Sequence, residues 1–342
     1  MESEAMNSSN KRIESRGCCP DETDSFSGLV RANEDDTEPH SVATVVGGRS
    51  RWSQMGDFIS LTKPEVLFLV LITAGLGCVM ALESLNLLTL LHVEIGTALV
   101  AGGTAALNHY LERMFDARMR HTARRPLPSD RLKPREALIF GIALSVASTA
   151  YLALTINLLT SLIGSAALLG YLLLYTLLKR RSRLCTLVGA FPGAAPILMG
   201  WSAVRGDLAP ESWVLYAILF LWQFPHFLAI GWMYREDYAR TGMLMIPEGD
   251  GIGRATFRLI RLTAQVLVVM SFIPTMLGMA GKVYLCSAFL LGLGLLFVAN
   301  RAAGERSKVS AKHLLHATVI YLPLLFLILV IYRTDPVEGW PI

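Results

Sequence analysis

Residues 88–128 read LTLLHVEIGTALVAGGTAALNHYLERMFDARMRHTARRPLP. The stretch begins as a long apolar run, continues with polar and acidic side chains, and ends in a dense series of arginines. An apolar run of this length can cross a hydrocarbon core of about 30 Å as a helix. The stretch therefore predicts a membrane-spanning helix that ends in a charged segment at the membrane edge.

The whole chain has the composition of a polytopic membrane protein. Of its 342 residues 53% are hydrophobic and 17% are charged, whereas soluble domains carry about 25% charged residues. Backbone polar groups in lipid must be satisfied internally, so the apolar runs predict an all-α bundle. The nine predicted spans are 64–82, 88–112, 135–155, 157–178, 184–203, 211–233, 258–279, 283–299 and 313–332.

Basic residues alternate between the loops. The loops after spans two, four, six and eight contain 8, 4, 5 and 4 Lys or Arg, and those after spans one, three, five and seven contain 0, 0, 1 and 1. Cytoplasmic loops carry the excess of Lys and Arg. The pattern predicts a cytoplasmic N-terminus and an external C-terminus.

Residues 1–55 differ in composition from the rest, with ten acids against five bases through residue 50. The segment is too acidic for a mitochondrial transit peptide and too polar for a secretory signal. We predict a disordered cytoplasmic tail over 1–55, a membrane domain over 56–342, and a bacterial plasma (inner) membrane location.

The end of the second span has the side chains of a cation site. Asn108, Glu112 and Asp116 recur every four residues, which places them within an arc of about 80° on one helix face. Carboxylate and amide oxygens suit divalent cations, and the arginines that follow suit phosphate. An ordinary helix end with solvated charges would explain the arginines, but it explains Asn108 less well because that residue lies where the helix is still apolar.

Two further clusters lie on the same predicted side of the membrane. Tyr175 and Lys179 share a face at the end of span four, where the alternative interpretation is an interfacial anchor. Gln223 and His226 lie within apolar span six, and Asp237 follows that span. Polar groups in such spans usually face the bundle interior, although a lone histidine there can be structural or functional.

Together the clusters place carboxylates from two helix ends beside bases from a third. This combination suits a diphosphate bridged by Mg²⁺, because the metal and the bases neutralise the phosphate oxygens. The apolar helices could hold a long hydrocarbon chain. The chemistry indicated is ionisation of an allylic diphosphate and transfer of its prenyl group.

At these residues the chain resembles the intramembrane (UbiA) prenyltransferase superfamily, and within it the branch that farnesylates protoheme IX. The resemblance runs from Leu61-Thr62-Lys63-Pro64 through span nine. The motifs that carry it are Asn108, Glu112 and Asp116; the loop from Asp116 to Leu127; Tyr175 and Lys179; Trp222-Gln-x-Pro225-His226-Phe227; and Tyr234-Arg235-x-Asp237-Tyr238. Three features depart from the family pattern: Glu112 stands where the family often has Asp, Met233 stands where quinone-type relatives have a second carboxylate, and the loop 247–251 is unexpected. In that loop Glu248 and Asp250 could bind metal, form part of a lid, or be solvated.

The resemblance implies the UbiA fold, with nine helices around a central cavity open to lipid. It implies transfer of farnesyl from farnesyl diphosphate to a vinyl group of protoheme IX, which gives heme O. A heme-modifying or oxidase-assembly protein is a further expected partner, and nothing indicates nucleic acid.

The same resemblance implies residue roles. Asn108, Glu112, Asp116 and Asp237 would organise Mg²⁺, and Tyr175 could stabilise the allylic cation. Lys179 and Arg125 would contact diphosphate, and His226 would contact heme as an axial ligand or a propionate partner. The full expected substrate-binding set is Arg120, Arg124, Arg125, Arg180, His226, Tyr234 and Arg235.

Two rival functions predict different features. A sister enzyme that prenylates an aromatic quinone precursor would share the fold and metal chemistry, but the Trp-x-x-Pro-His-Phe stretch disfavours it. A transporter would place ionisable groups and broken helices near the bilayer midplane. Here the carboxylates and bases cluster at predicted cytoplasmic helix ends, which disfavours transport.

Overall fold

The protein is described by a computed structural model over residues 51–81, 86–119, 122–179, 181–182, 184–242 and 250–334. Those ranges are helical, apart from turns and one isolated bridge between Ala280 and Arg333. The helices are α1 (Arg51–Leu61), α2 (Pro64–Ala81), α3 (Leu87–Asp116), α4 (Pro134–Thr155), α5 (Leu158–Leu169), a π-helical segment (Gly170–Tyr175), α6 (Thr176–Leu178), α7 (Cys185–Arg205), α8 (Pro210–Met233), α9 (Arg235–Thr241), α10 (Arg254–Met270), α11 (Ile273–Met276), α12 (Lys282–Glu305) and α13 (Lys308–Ile331).

Within the described ranges, nine helical stretches are long and apolar enough to cross a membrane. This confirms the predicted all-α polytopic fold. The fourth span, Leu158–Leu178, runs through α5, the π-helical segment and α6, and the seventh, Arg254–Met276, combines α10 and α11. The eighth, predicted as a short span over 283–299, is 24 residues long. The predicted tail over 1–50 lies outside the described residues, and 51–55 belong to α1.

Local sequence explains where several helices begin. Asn86 precedes α3 and accepts hydrogen bonds from the Leu88 and Thr89 amides at 3.1 and 3.2 Å. Asn157 does the same for α5 through the Thr160 amide at 2.8 Å. Pro210 occupies the first position of α8, where its missing N–H costs no helical hydrogen bond. These caps satisfy amides that lipid could not hydrate.

Helices α2 and α7 approach closely because small residues face each other. A Cβ on Gly200 would collide with the carbonyl oxygen of Ala74, and one on Gly77 would collide with that of Ile197. Only glycine allows this backbone contact, as in other closely packed membrane helices. The close packing fixes the first span against the fifth, and residues of both line the central cavity described below.

The outside of the bundle is apolar. Large side chains such as Leu154, Leu290 and Phe297 are mostly exposed. A water-soluble protein rarely exposes so many of them, whereas a lipid-facing surface requires them. The largest buried apolar cluster joins side chains of α2, α7, α8, α10, α12 and α13.

The ends of alternate spans meet at one edge of the bundle. Lys63 before span one contacts Asn108 near the end of span two, and Glu112 of span two contacts Lys179 after span four. Lys308 at the start of span nine forms an ion pair with Glu236 after span six at 2.9 Å. The basic loops therefore lie on one side, as the charge alternation predicts.

Candidate active site

Helix α3 carries the first polar cluster on one buried face. It continues to Asp116, four residues beyond the predicted end of the span, so both carboxylates lie within regular helix. Asn108, Glu112 and Asp116 are 1%, 8% and 1% exposed. Buried carboxylates require partners, and each has a basic one.

Lys63 occupies the amide end of this face. Its Nζ donates to Asn108 Oδ1 at 3.1 Å, and the Asn108 amide nitrogen donates to Thr176 Oγ1 at 3.4 Å. The Lys63 backbone has φ 52°, a conformation that non-glycine residues seldom adopt. Burial, together with the charges of Arg125 and Lys179, lowers the pKa of Lys63 to about 8. An anion placed here would stabilise this costly ammonium.

Lys179 joins Glu112 to the aromatic pair. Its Nζ lies 2.9 Å from Glu112 Oε1 and 4.3 Å from the centre of the Tyr175 ring. Burial alone would lower the pKa of Lys179, but Tyr175 and Glu112 outweigh it and hold that pKa well above the usual value. Lys179 is therefore a permanent cation, held over a ring face that can bind cations.

Arg125 pairs with the last carboxylate of the face. Its Nη1 lies 2.8 Å from Asp116 Oδ2. The loop that carries it is held to the helix end by Thr122, whose hydroxyl donates to the Asp116 carbonyl at 2.7 Å. Leu127 and Leu132, both 4% exposed, bury the same loop against the bundle.

A π-helical segment presents the two tyrosines. Residues Gly170–Tyr175 form one such turn, a feature that often marks functional sites. The Tyr171 and Tyr175 rings lie 4.7 Å apart. Gly189 of α7 makes room for them, because a Cβ there would lie 2.5 Å from the Tyr175 ring. The fourth span is thus deformed where it meets the charged cluster.

The donor set of α3 fits a divalent cation. An amide oxygen and two carboxylates on one buried face are the ligands that Mg²⁺ prefers. His109 adds an unsatisfied group: neither ring nitrogen makes a hydrogen bond, and Nδ1 lies 3.8 Å from Asp116 Oδ2. In the part of the chain that the structure describes, no three acidic, His or Cys groups already converge as a metal cage. The carboxylates are held by Lys179 and Arg125 instead.

The second acidic region lies on α9. Asp237 forms an ion pair with Arg240 at 2.9 Å. Its neighbour Tyr238 is within electrostatic range of Lys179, Glu112 and Arg125. Burial raises the pKa of Tyr238, with Lys179 opposing the shift. Helix α9 therefore lies near the same edge of the bundle as the α3 face.

The remaining predicted residues are placed less centrally. Arg124 is exposed, and its carbonyl accepts a hydrogen bond from Arg131 at 2.9 Å. Tyr234 ends α8 and is 38% exposed. The Arg235 guanidinium lies 4.5 Å above the Trp232 ring, so it stacks there. Arg120, Arg180 and Glu248 lie outside the described residues.

Asp250 has a structural role that none of the sequence-based alternatives included. Its carboxylate accepts hydrogen bonds from the Ala255 amide at 3.1 Å and from the amide and hydroxyl of Thr256 at 2.7 Å each. Burial opposes ionisation, but these hydrogen bonds outweigh it and lower the pKa of Asp250. Asp250 thus caps the start of α10.

A cavity of about 430 Å³ connects the charged cluster to the polar residues of α8. Its lining includes Lys63, Tyr171 and Tyr175 from the cluster and Gln223 and His226 from α8. Most of the other lining side chains are apolar, as in small-molecule pockets generally. The cavity can therefore hold an apolar molecule with an anionic group at Lys63.

The structure adds Lys63, His109 and Tyr238 to the candidate site. The signal for Lys63 is a lysine directly before the proline that begins a span, on the predicted cytoplasmic side. His109 precedes Glu112 by three residues and Asp116 by seven, so helical spacing already put it beside that face. Tyr238 belongs to the Tyr234-Arg235-x-Asp237-Tyr238 motif, but its proximity to Lys179 depends on tertiary packing.

Known proteins share both sequence and fold with this chain. Residues 68–332 match the UbiA prenyltransferase family. Over 289 residues the chain is 48% identical to protoheme IX farnesyltransferase of Solibacter usitatus (strain Ellin6076), an alignment that covers 82% of this chain and 99% of that relative.

Two solved structures share the fold. Digeranylgeranylglyceryl phosphate synthase superposes with a TM-score of 0.67 at 18% identity, covering 82% of this chain and 98% of the other. A UbiA homolog from Archaeoglobus fulgidus, bound to GPP and Mg²⁺, superposes with a TM-score of 0.57 at 14% identity. That superposition covers 80% of this chain and 99% of the other.

Proposed function

The chain belongs to the UbiA prenyltransferase family, and from this premise we propose that it transfers farnesyl from farnesyl diphosphate to a vinyl group of protoheme IX. The relative from Solibacter usitatus is named for this reaction, and its alignment with the present chain covers 99% of that relative. The observation that carries the proposal is the cavity shared by Lys63, Tyr175 and His226, which offers a diphosphate end and a separate polar group for the acceptor.

The diphosphate end consists of three bases held close to two carboxylates. Lys179 and Arg125 are engaged with Glu112 and Asp116, and Lys63 is engaged with Asn108. Arginine and lysine bind phosphate oxygens strongly through charged hydrogen bonds. If these bases turned to the diphosphate, the α3 oxygens would be available to hold Mg²⁺, and Asp237, now paired with Arg240, would complete the set of ligands. Bound there, Mg²⁺ would neutralise charge on the diphosphate leaving group.

The chemistry then requires a cation to form in an apolar cavity. The bond between farnesyl C1 and the diphosphate oxygen breaks, and a heme vinyl carbon forms a new bond to C1. Water adds to the other vinyl carbon and loses a proton, which gives a hydroxyethylfarnesyl group and free diphosphate. Tyr175 supports the allylic cation, because its ring lines the cavity and already holds an ammonium 4.3 Å from its centre.

Asp116→Asn tests the proposed metal site. The variant keeps the shape of the side chain but removes the carboxylate charge, so we expect loss of Mg²⁺-dependent diphosphate release from farnesyl diphosphate. Diphosphate is measured after incubation of purified enzyme with both substrates over a Mg²⁺ titration. Asp130→Asn, an exposed position in the following loop, is the matched control. Full activity of a folded Asp116→Asn enzyme would remove Asp116 from the metal site.

The acceptor is tested by offering a porphyrin and an aromatic quinone precursor in separate reactions. Membranes containing the protein are incubated with farnesyl diphosphate and either protoheme IX or 4-hydroxybenzoate, and products are identified by mass. We expect a farnesylated heme only. Prenylated benzoate would refute the proposed acceptor and favour the quinone-precursor reaction.

We also propose the location and orientation of the enzyme. The protein is a multi-pass membrane protein, and the basic edge that carries the site faces the cytoplasm by the positive-inside bias. This orientation gives a cytoplasmic N-terminus and an external C-terminus. The bacterial inner membrane is the proposed location, in keeping with the bacterial relative described above. A heme-modifying or oxidase-assembly partner for the product is part of the same proposal.

A further inference from the structure

His226 of α8 is held by the last span. Its Nδ1 lies 3.0 Å from Thr318 Oγ1 on α13. The Trp222 ring stacks on the imidazole with centroids 4.6 Å apart, and the Trp222 indole N–H donates to the Thr318 carbonyl at 2.7 Å. Thr318 is fully buried. Two contacts from Trp222 and Thr318 thus fix both the plane and the rotation of the imidazole.

The Thr318 hydroxyl decides which imidazole nitrogen carries the proton. Thr318 Oγ1 lies 2.7 Å from the Leu315 carbonyl, which can only accept a hydrogen bond. The single hydroxyl hydrogen is therefore donated to Leu315, so the hydroxyl oxygen must accept from His226. Nδ1 consequently carries the hydrogen, and Nε2 has a free lone pair.

Nε2 is open to the cavity. His226 lines that cavity, and within the described part of the chain Nε2 has no hydrogen-bond partner and is not enclosed by protein. A neutral imidazole whose Nδ1–H is bound to an oxygen is the usual state of a histidine that binds metal through Nε2. A lone pair repels a carboxylate, so this tautomer disfavours a propionate contact.

We propose that Thr318 is a positioning residue that sets the His226 tautomer, so that Nε2 binds the iron of a metalloporphyrin acceptor. This inference rests on the proposed function, since it assumes that heme enters the cavity. It selects iron ligation over propionate binding for His226, and it assigns a role to α13. Leu322 and Phe326 of the same helix line the cavity and supply apolar surface for the porphyrin.

The test compares iron and metal-free porphyrin binding to the full-length protein in lipid nanodiscs. Thr318→Val removes the hydroxyl with little change of shape, and Thr318→Ser keeps it. Hemin binding is followed by its absorbance and by electron paramagnetic resonance, protoporphyrin IX binding by fluorescence, and farnesyl diphosphate binding by calorimetry. Loss of a group that orients a metal-binding histidine typically lowers metal affinity about 10- to 100-fold.

We expect Thr318→Val to bind hemin at least about ten-fold more weakly, with an altered iron spectrum. Protoporphyrin IX and farnesyl diphosphate should bind as in the wild type, and Thr318→Ser should resemble the wild type throughout. His226→Ala should weaken hemin binding at least as much as Thr318→Val does, because it removes the iron-binding imidazole itself. A general packing defect would instead weaken both porphyrins alike.

The outcomes separate the two proposals. If the wild type farnesylates heme while Thr318→Val keeps full hemin affinity and an unchanged spectrum, the role of Thr318 is wrong and the proposed function stands. Equal weakening of both porphyrins would also overturn the role of Thr318. If the wild type binds farnesyl diphosphate but no hemin, the proposed acceptor is wrong and the inference fails with it.

Discussion

Lys63 lowers the stability of the folded protein in a way that anion binding would offset. Its left-handed backbone and its lowered pKa are both unfavourable to the protein on its own. A fall in pKa from 10.5 to about 8 corresponds to about 3 kcal/mol against the ammonium. A neighbouring anion would remove much of that cost, which is how strain is commonly used at functional sites.

Replacing Lys63 with Met should therefore separate binding from stability. The variant removes a charged contact worth about 1.5–3 kcal/mol, so farnesyl diphosphate should bind about 10- to 100-fold more weakly. The melting temperature of the ligand-free protein should not fall. Calorimetry and thermal unfolding in detergent measure the two quantities. Lys312→Met, at an exposed position, is the control, and equal weakening in both variants would contradict a direct role for Lys63.

Residues of the site differ in how far sequence alone could place them. Asn108, Glu112 and Asp116 share a face because helical spacing requires it, and that face is buried in the structure. The partners of these residues depend on tertiary packing. Lys63 and Asn108 are 45 residues apart, and Glu112 and Lys179 are 67 apart. No local pattern encodes such pairs.

At the scale of elements, the structure differs most from simple periodicity in the fourth span. The sequence predicts one regular helix over 157–178, whereas residues Gly170–Tyr175 adopt a π-helical turn. The Thr176 hydroxyl donates to the Tyr171 carbonyl at 3.0 Å and so satisfies a group in the widened turn. The apolar pattern of the sequence cannot reveal this π-helical turn, because the span is apolar on both sides of it.

The start of α10 offers a test of capping. Asp250→Ala removes acceptors for two helix amides and a hydroxyl, and should cost about 1–2 kcal/mol of stability. The pKa of Asp250 is lowered, so the stabilisation is full above its unfolded pKa near 3.9 and is lost only as pH falls through the lower folded value.

The difference in stability between wild type and Asp250→Ala should therefore be constant from pH 5 to pH 8. Amide exchange of α10 and thermal unfolding measure it. Asp207→Ala, in an exposed loop, should change neither quantity. A loss of Mg²⁺ binding in Asp250→Ala, with α10 exchange unchanged, would identify Asp250 as a metal residue after all.

For the whole molecule, hydropathy and charge predict the architecture well. All nine predicted spans are present in the described residues, and their alternate ends meet at one edge. Length and apolarity determine a membrane span almost regardless of its neighbours. The nine spans can therefore be predicted without knowledge of the tertiary structure. The shared cavity could be expected only from the family resemblance, because its lining comes from several separate spans.

Reporter fusions test the proposed orientation. A reporter that is active only on the external side of the membrane should be inactive when fused after residue 132 and active when fused after residue 207. A reporter that is active only in the cytoplasm should give the reverse pattern. The opposite result for both fusions would contradict the proposed orientation and would show that the charged edge faces the external side.

The hydrogen bond between His226 and Thr318 links residues 92 positions apart, and it has a consequence for biogenesis. During synthesis, the contacts among Lys63, Asn108, Glu112, Asp116, Arg125 and Lys179 can all form once four spans have been inserted. The imidazole acquires its orientation only when the ninth span enters the bilayer. A nascent chain therefore assembles its diphosphate end early, and becomes competent for the acceptor only at the last step of membrane insertion.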